Sequence, residues 1–390
     1  MSVPRAFWLR RPYLLARDLI ADREKPDLQA LENIDDPDTF IWSILPHAAR
    51  TFSACIALLP ARSAVAAAVA YLYSRMLDTY EDLVADRSRC DAALTAFAAR
   101  FDLEQPGFLP PAPPIRDALD RDDRDRAHLL LVRRAFLVDV VYLRLPPDTR
   151  AVIRDLVRDM ASGMRWSRAT LASTGGVLAG EERLMRYCRH VLGNPVVFSV
   201  RLMRLAHGAS PQLAEHEREH AMRVGEMVQL ANITRDLEKD LQRGVAYDAG
   251  LGEYLGRRVT DADHALMERC RVVREKLLRL ALSRAPSYAR IIDALRLPRW
   301  SIARASAVLM LLFTERYFRD CARRVGLQPW RGSSSMLALF ARTIPAAFSA
   351  ARARAEVARV QRAFLAAADQ VGAASASVGV AAVSYARTPT

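Results

Sequence analysis

Two stretches of this 390-residue chain carry carboxylates at a spacing that invites chemistry. In "YLYSRMLDTYED" (71–82), Tyr71, Arg75, Asp78 and Asp82 recur at i, i+4, i+7 and i+11, one face of an α-helix, beside Val65, Val69, Leu72, Met76 and Leu77. In "VGEMVQLANITRDLEKDLQRG" (224–244), Gly225, Gln229, Asn232, Asp236, Asp240 and Arg243 extend the same spacing over five turns. Val224, Met227, Val228, Leu230, Ile233 and Leu237 flank them. Carboxylates one turn apart among apolar side chains repel one another and are costly to bury, so they call for a cation. Hard oxygen ligands without an intervening histidine suit Mg2+, with Mn2+ as the alternative ion; such a cation shares its shell with substrate phosphate oxygens. Glu81 completes the first acidic set. Arg75 and Arg235 sit where they could counter the charge of a diphosphate. The competing reading is two ordinary solvated helix faces, which the recurrence of the pattern with Gln229 and Asn232 on the same stripe makes the weaker one.

These stripes need long helices to carry them. Apolar residues recur at helical spacing along nearly the whole chain and alternating runs are scarce, which predicts an all-α protein. Helix breaks fall at "EQPGFLPPAPP" (104–114), "TGGVLAG" (174–180), "HGASPQ" (207–212) and "QPWRGSSS" (328–335). The simplest division is an N-terminal helical extension (1–45), a catalytic helical domain (46–330) and an Ala/Arg-rich tail (331–390). A hydrophobic content of 51% supports a large core. Five scattered cysteines without a CxxC pair indicate neither a disulfide framework nor a zinc ribbon. The N-terminus lacks a signal-peptide pattern, and no stretch reaches the roughly 20 strongly apolar residues of a membrane span. The expected location is therefore the cytoplasm or its membrane surface. Lys plus Arg number 57 against 44 acids, a net charge of +13 that suits phosphorylated substrates or anionic lipid. No recognition motif accompanies that charge, so nucleic acid is not an expected partner.

Taken in order, "ARTFSACIALLP" (49–60), "YLYSRMLDTYED", "MASGM" (160–164), "YCRHVLGN" (187–194) and "QLANITRDLEKDLQRG" resemble the squalene and phytoene synthases, the head-to-head branch of the all-α prenyl transferases. The bacterial squalene-type sequences look nearest. The resemblance implies an isoprenoid-synthase-type helical bundle with a central apolar cavity and the two aspartate motifs at its mouth. It implies that Asp78, Glu81, Asp82, Asp236 and Asp240, with Asn232, hold Mg2+ against prenyl diphosphate. Arg50, Thr51, Phe52, Arg75, Gln229, Asn232 and Arg235 would bind substrate, and Tyr71, Arg75 and Tyr187 would serve catalysis. The implied reaction joins two farnesyl diphosphates into presqualene diphosphate and then squalene, with NADPH as reductant. A phytoene-type condensation of geranylgeranyl diphosphate, or another terpene synthase reaction on a prenyl diphosphate, is the alternative.

Three departures stand out. Lys239 occupies the place where the family usually has glutamate before the last aspartate. Leu192, Pro195 and Val196 replace the family's Ala, Val and Gly, and the bulkier residues and the proline are expected to narrow or bend the substrate channel. The usual serine-rich opening reads "ARTF", keeping Arg50, the Thr51 hydroxyl and Phe52. Other signals compete. "HEREH" (216–220) formally matches a zinc-hydrolase helix with His216 and His220 as ligands and Glu217 as base, but its surroundings read as the charged opening of an exposed helix. "GLGEYLG" (250–256) follows no strand and is no dinucleotide fingerprint. The arginine-rich runs "RRAF", "CARRVG" and "RARAEVARVQRAF" read as solvated faces or, in a non-catalytic alternative, as a peripheral membrane contact.

Overall fold

A computed structural model describes residues 7–20, 25–49, 51–116, 118, 122–260, 263–295, 297–298, 300–327 and 335–385, with the side chains of 7–8, 18–20, 51 and 372–385 left undescribed. Seventeen α-helices occupy these residues: α1 Phe7–Ile20, α2 Leu28–Glu32, α3 Pro37–Ala49, α4 Thr51–Ala57, α5 Ala61–Leu83, α6 Arg87–Ala99, α7 Asp123–Arg133, α8 Ala135–Leu143, α9 Pro147–Ser173, α10 Glu181–Cys188, α11 Asn194–Ala206, α12 Glu215–Gln242, α13 His264–Leu282, α14 Pro286–Ala294, α15 Ile302–Arg324, α16 Met336–Phe348 and α17 Ala350–Tyr385. A π-helical turn, Arg189–Gly193, joins α10 to α11. No strand occurs among the described residues, only isolated bridge pairs such as Val177 with Ala246. The all-α expectation holds.

Local chemistry sets the helix ends. Asp86 accepts from the Arg89 N–H (2.7 Å) and Asp122 from the Asp125 N–H (2.8 Å), satisfying donors that the first helical turn leaves open. The "EQPGFLPPAPP" break is an irregular connection, tied down where the Tyr80 hydroxyl donates to the Pro113 carbonyl (2.6 Å) and Arg100 Nε to the Pro110 carbonyl (2.6 Å).

Two long helices form the frame of the site. α5 packs against α3, α7, α9 and α11, while α12 packs against α11, α13, α14, α15 and the π turn. One continuous apolar core runs from Leu14 and Leu31 through both frame helices to Val360, Phe364 and Val371, so the terminal helices share it. Behind α5, buried Asp139 accepts from the Tyr73 hydroxyl (2.8 Å) and pairs with Arg100, inside a ring of Tyr73, Phe97, Phe101 and Tyr142 packed edge to face. That network fixes the face of α5 opposite the acidic stripe.

Candidate active site

On α5 the first stripe forms as its spacing predicts. Arg75 Nη1 lies 3.1 Å from Asp78 Oδ2, and Arg75 Nη2 donates to the Tyr71 hydroxyl at 3.3 Å. Phe52 of α4 sits against Tyr71, ring centroids 6.0 Å apart. Arg75 Nε is buried without a hydrogen-bond partner, a donor left over beside the carboxylates. Burial pushes Asp78 up to about 6, opposed by Arg75 and Arg124 and reinforced by Asp82. Glu81 is pushed further, to about 8, by burial and then by the charges of Asp78 and Asp82. Its side chain accepts from Ser167 Oγ at 3.4 Å, and Arg168 Nη1 donates to its main-chain carbonyl at 3.1 Å. Asp82 is exposed at the edge of the stripe. Arg50 lies outside the described residues, as does the side chain of Thr51.

The second stripe, on α12, is also assembled. Asn232 Nδ2 donates to Gln229 Oε1 at 3.2 Å, and Gln229 is buried. Arg235 grips Asp236 with two hydrogen bonds, 3.0 and 2.5 Å, and lies over the Tyr317 ring of α15. Asp240 accepts from the Tyr247 hydroxyl at 3.2 Å. Burial, with Asp236 as the nearest like charge, raises it to about 6. Lys239 points to solvent, so the family departure at that position leaves the stripe itself intact. Glu238, on the same helix, is turned away and paired with Arg274 at 2.5 Å.

Tyr187, at the end of α10, links the two stripes. It stacks near Tyr247 (centroids 5.8 Å) and hydrogen-bonds to it, and the charges of both Glu81 and Asp240 raise its pKa on top of the larger effect of burial. Its phenol therefore stays protonated and neutral. The helix crossings that bring these groups together depend on glycine. A Cβ on Gly225 of α12 would stand 2.4 Å from Gly193 Cα and N in the π turn, and one on Gly163 of α9 would stand 2.5 Å from His190 Cβ. The π turn itself has a covalent origin. Pro195 has no N–H to return to Val191, and the Asn194 N–H reaches back five residues to the Arg189 carbonyl. Arg189 then locks the turn to α12, its Nε 2.6 Å from the buried carboxylate of Glu226, which also takes Arg284 Nε at 3.1 Å.

The donor set fits a hard divalent cation of the kind the stripes call for. Two of its carboxylates are raised to about 6 and Glu81 to about 8, by burial first and by neighbouring carboxylates second, a cost that a bound cation would relieve. No group of three His, Cys, Asp or Glu side chains among the described residues forms a ready-made cage. An ion held here would thus take one or two carboxylates and complete its shell with water and phosphate oxygens, as Mg2+ does.

Sequence reasoning missed Arg124 at the start of α7, Ser167 and Arg168 on α9, Tyr247 and Tyr317. Of these, Tyr247 was the most accessible, seven residues beyond Asp240 where the helix has just ended; the others arrive from separate helices with no local signature. The competing motif resolves structurally. Glu217 of "HEREH" accepts from the Ala214 N–H (2.9 Å) and pairs with Arg204 (2.5 Å), a carboxylate closing the start of α12. His220 Nδ1 lies 3.3 Å from Ser287 Oγ and His216 is exposed. "GLGEYLG" falls mostly in a 3-10 helix, Ala249–Tyr254. All five cysteines are free and buried. Among the described residues, one surface cleft of about 420 Å3 lies between α9 and α10, lined by Trp166, Thr170, Arg183 and Arg186, and another of about 80 Å3 lies beside Arg304 and Arg354. Both are polar and neither is the apolar chamber expected at the bundle centre.

Comparison with known proteins agrees with this fold. The structure is similar to that of TcSQS in complex with the ligand BPH1237, with TM-score 0.61 and 16% identity over 87% of this chain and 96% of that one. It is likewise similar to TcSQS with the ligand E5700, with TM-score 0.59 and 17% identity over 85% and 99%. At such identities the likeness speaks for the fold alone. No curated protein sequence matches the chain directly. Residues 45–331 match the family described as squalene/phytoene synthase, and with nearly three quarters of its length so matched, the chain belongs to the squalene/phytoene synthase family, whose members are prenyltransferases.

Proposed function

We propose that the chain condenses two farnesyl diphosphates head to head, giving presqualene diphosphate and then squalene, in a Mg2+-dependent reaction. The observation that carries this reading is the meeting of the two carboxylate stripes across Tyr187 and Tyr247, with Arg75 held between Tyr71 and Asp78. Breaking the allylic C–O bond leaves negative charge on the departing diphosphate and positive charge on the prenyl chain. Arg75, fixed by Asp78 and with Nε still free to donate, is placed to receive the diphosphate. Mg2+ held by Asp78, Asp82, Asp236 or Asp240 would supply further neutralisation of that charge when bound. The neutral phenols of Tyr187 and Tyr247 and the rings of Tyr71 and Phe52 would offer electron-rich faces to the allylic cation while keeping water from it. The double bond of the second prenyl chain then attacks the cation, and loss of a proton closes the cyclopropane. Squalene requires, in addition, a second ionisation and hydride from NADPH, for which we assign no residues.

The test is incubation of purified protein with farnesyl or geranylgeranyl diphosphate and Mg2+, with and without NADPH, followed by identification of the lipids. Squalene from farnesyl diphosphate only when NADPH is present is the expected result; phytoene from geranylgeranyl diphosphate would reassign the product within the same chemistry. Asp82→Ala and Asp236→Ala should each lose on the order of 10²–10³-fold in turnover. If neither diphosphate is consumed and both variants bind the substrates as wild type does, the proposal is wrong.

A further inference from the structure

The cleft of about 420 Å3 between α9 and α10 has one wall from each helix. On α9, Trp166, Thr170, Ser173 and Thr174 line it at the helical spacing i, i+4, i+7 and i+8; on α10, Glu182, Arg183 and Arg186 face them. The residue after Trp166, Ser167, reaches Glu81, and the residue after Arg186, Tyr187, meets Tyr247. The cleft therefore backs onto the carboxylate site without sharing a side chain with it.

Unpaired positive charge sets this cleft apart. Other arginines of these helices and their neighbours hold carboxylates: Arg168 lies 3.8 Å from Asp91, Arg189 2.8 Å from Glu219 and 2.6 Å from Glu226, and Arg284 3.1 Å from Glu181. Among the described residues no carboxylate lies within ion-pair distance of Arg183 or Arg186, both exposed, although Glu182 is spaced i, i+4 to reach Arg186. Arg186 instead lies over the half-buried Trp166 ring, 4.3 Å from its centroid, and that ring packs against His190 of the π turn at 5.5 Å. Stacking fixes the guanidinium plane and leaves its N–H edge open to an anion. On the opposite wall the hydroxyls of Ser173 and Thr174 donate to the Thr170 carbonyl (2.9 and 2.8 Å), while the Thr170 hydroxyl makes no hydrogen bond among the described residues.

We propose that this cleft binds a small hydrophilic diphosphate, with Arg183 and Arg186 each taking a phosphoryl group and the Thr170 hydroxyl donating from the facing wall. Two guanidinium forks one turn apart suit two linked phosphoryl groups, whereas a single carboxylate or phosphate would leave one fork without a partner. No Leu, Ile, Val or Phe lines the cleft, so it has nothing to hold a prenyl tail, and its volume lies within the range of about 300–1,000 Å3 common to small-molecule sites. Free inorganic diphosphate and the diphosphate of a nucleotide share this chemistry. The site does not depend on the synthase reading.

Trp166 supplies the probe, because a ligand that engages Arg186 alters the cation over its ring. The full chain in EDTA is titrated with inorganic diphosphate, with ADP and with inorganic phosphate, following tryptophan fluorescence beside calorimetry. Wild type should bind at least one of the two diphosphates saturably and phosphate about tenfold or more weakly, with the fluorescence change absent from Trp166→Phe. Arg183→Gln/Arg186→Gln should bind about tenfold or more weakly than wild type and, with both positions exposed, melt as wild type does. Arg235→Gln, in the carboxylate site, should keep the Trp166 signal. Tighter binding of inorganic diphosphate assigns the cleft to the free anion, and tighter binding of ADP to a nucleotide; either outcome upholds the proposal. Wild type that binds neither diphosphate, phosphate bound as tightly as diphosphate, a double variant that binds as wild type does, or a signal lost in Arg235→Gln would each overturn it.

Discussion

Replacing Gly225 with alanine adds one methyl group, yet the structure places that methyl where no atom can yield. The new Cβ would lie 2.4 Å from Gly193 Cα and N and 2.6 Å from the Leu192 carbonyl carbon, all of them main-chain atoms. Ordinary contacts between such atoms begin near about 3.5 Å, so α12 and the π turn must part by roughly 1 Å. Overpacking of this kind costs about 1–3 kcal/mol, and backbone against backbone belongs at the upper end; the better helix propensity of alanine returns about 1 kcal/mol. We expect a net loss of about 2 kcal/mol and, for a chain of this length, a fall in melting temperature of about 2–3 °C. Activity should fall more steeply. Asp236 lies eleven residues along the same helix, about 16 Å away, and a shift of about 1 Å between groups that act together can cost on the order of 10²-fold in kcat/KM. Gly163→Ala would set its Cβ 2.5 Å from His190 Cβ, an atom that rotation of the imidazole does not move, so it should also destabilise by forcing α9 from the π turn. Differential scanning fluorimetry and steady-state turnover of the three proteins check both effects. A Gly225→Ala protein as stable and active as wild type would refute the argument that a backbone contact sets the helix crossing.

Two further predictions concern charge. Because burial and its acidic neighbours raise Glu81 to about 8, the folded protein holds a proton there that the unfolded chain releases near 4.5. Its contribution to stability is complete below that lower value and is lost as pH rises towards 8. The shift of about 3.5 units corresponds to about 5 kcal/mol at most, and partial exposure reduces this to about 1–2 kcal/mol. In EDTA, Glu81→Gln should therefore match wild type near pH 4.5 and melt higher at pH 8.5, with Mg2+ narrowing the gap; melting curves parallel across this range would contradict the assignment. Glu226→Ala strips the buried carboxylate that joins Arg189 and Arg284. It should destabilise by about 3 kcal/mol, the lower end of the range for broken buried pairs because Arg189 can rehydrate, and urea unfolding with an unchanged midpoint would disprove the role.

Much of the site was legible because helical periodicity is a local code. Tyr71, Arg75 and Asp78 touch as their spacing of three and four residues requires, and Gln229 and Asn232 do the same on α12. "HEREH" could also be discounted locally, since a charged stretch after a proline reads as a helix start, and Glu217 indeed closes that start. Partners contributed by other helices left no such trace. Ser167 and Arg168 reach Glu81 from 86 and 87 residues away. The exposure of Leu337, Ile344 and Phe348 on α16 was hidden differently, because periodicity marks which residues share a face but not which of two apolar faces the core will take.

By itself, then, the sequence determined the helices, the two carboxylate stripes and the family motifs, all properties of neighbours within a few turns. Only the tertiary structure decided that Tyr187 would stand between Glu81 and Asp240, that Arg235 would turn onto Asp236 and Tyr317, and that Lys239 would face solvent. The physical reason is the packing at Gly163, Gly193 and Gly225. The sequence shows three glycines, but which backbone each must admit depends on where α9, the π turn and α12 cross, and that crossing sets how the two stripes face each other.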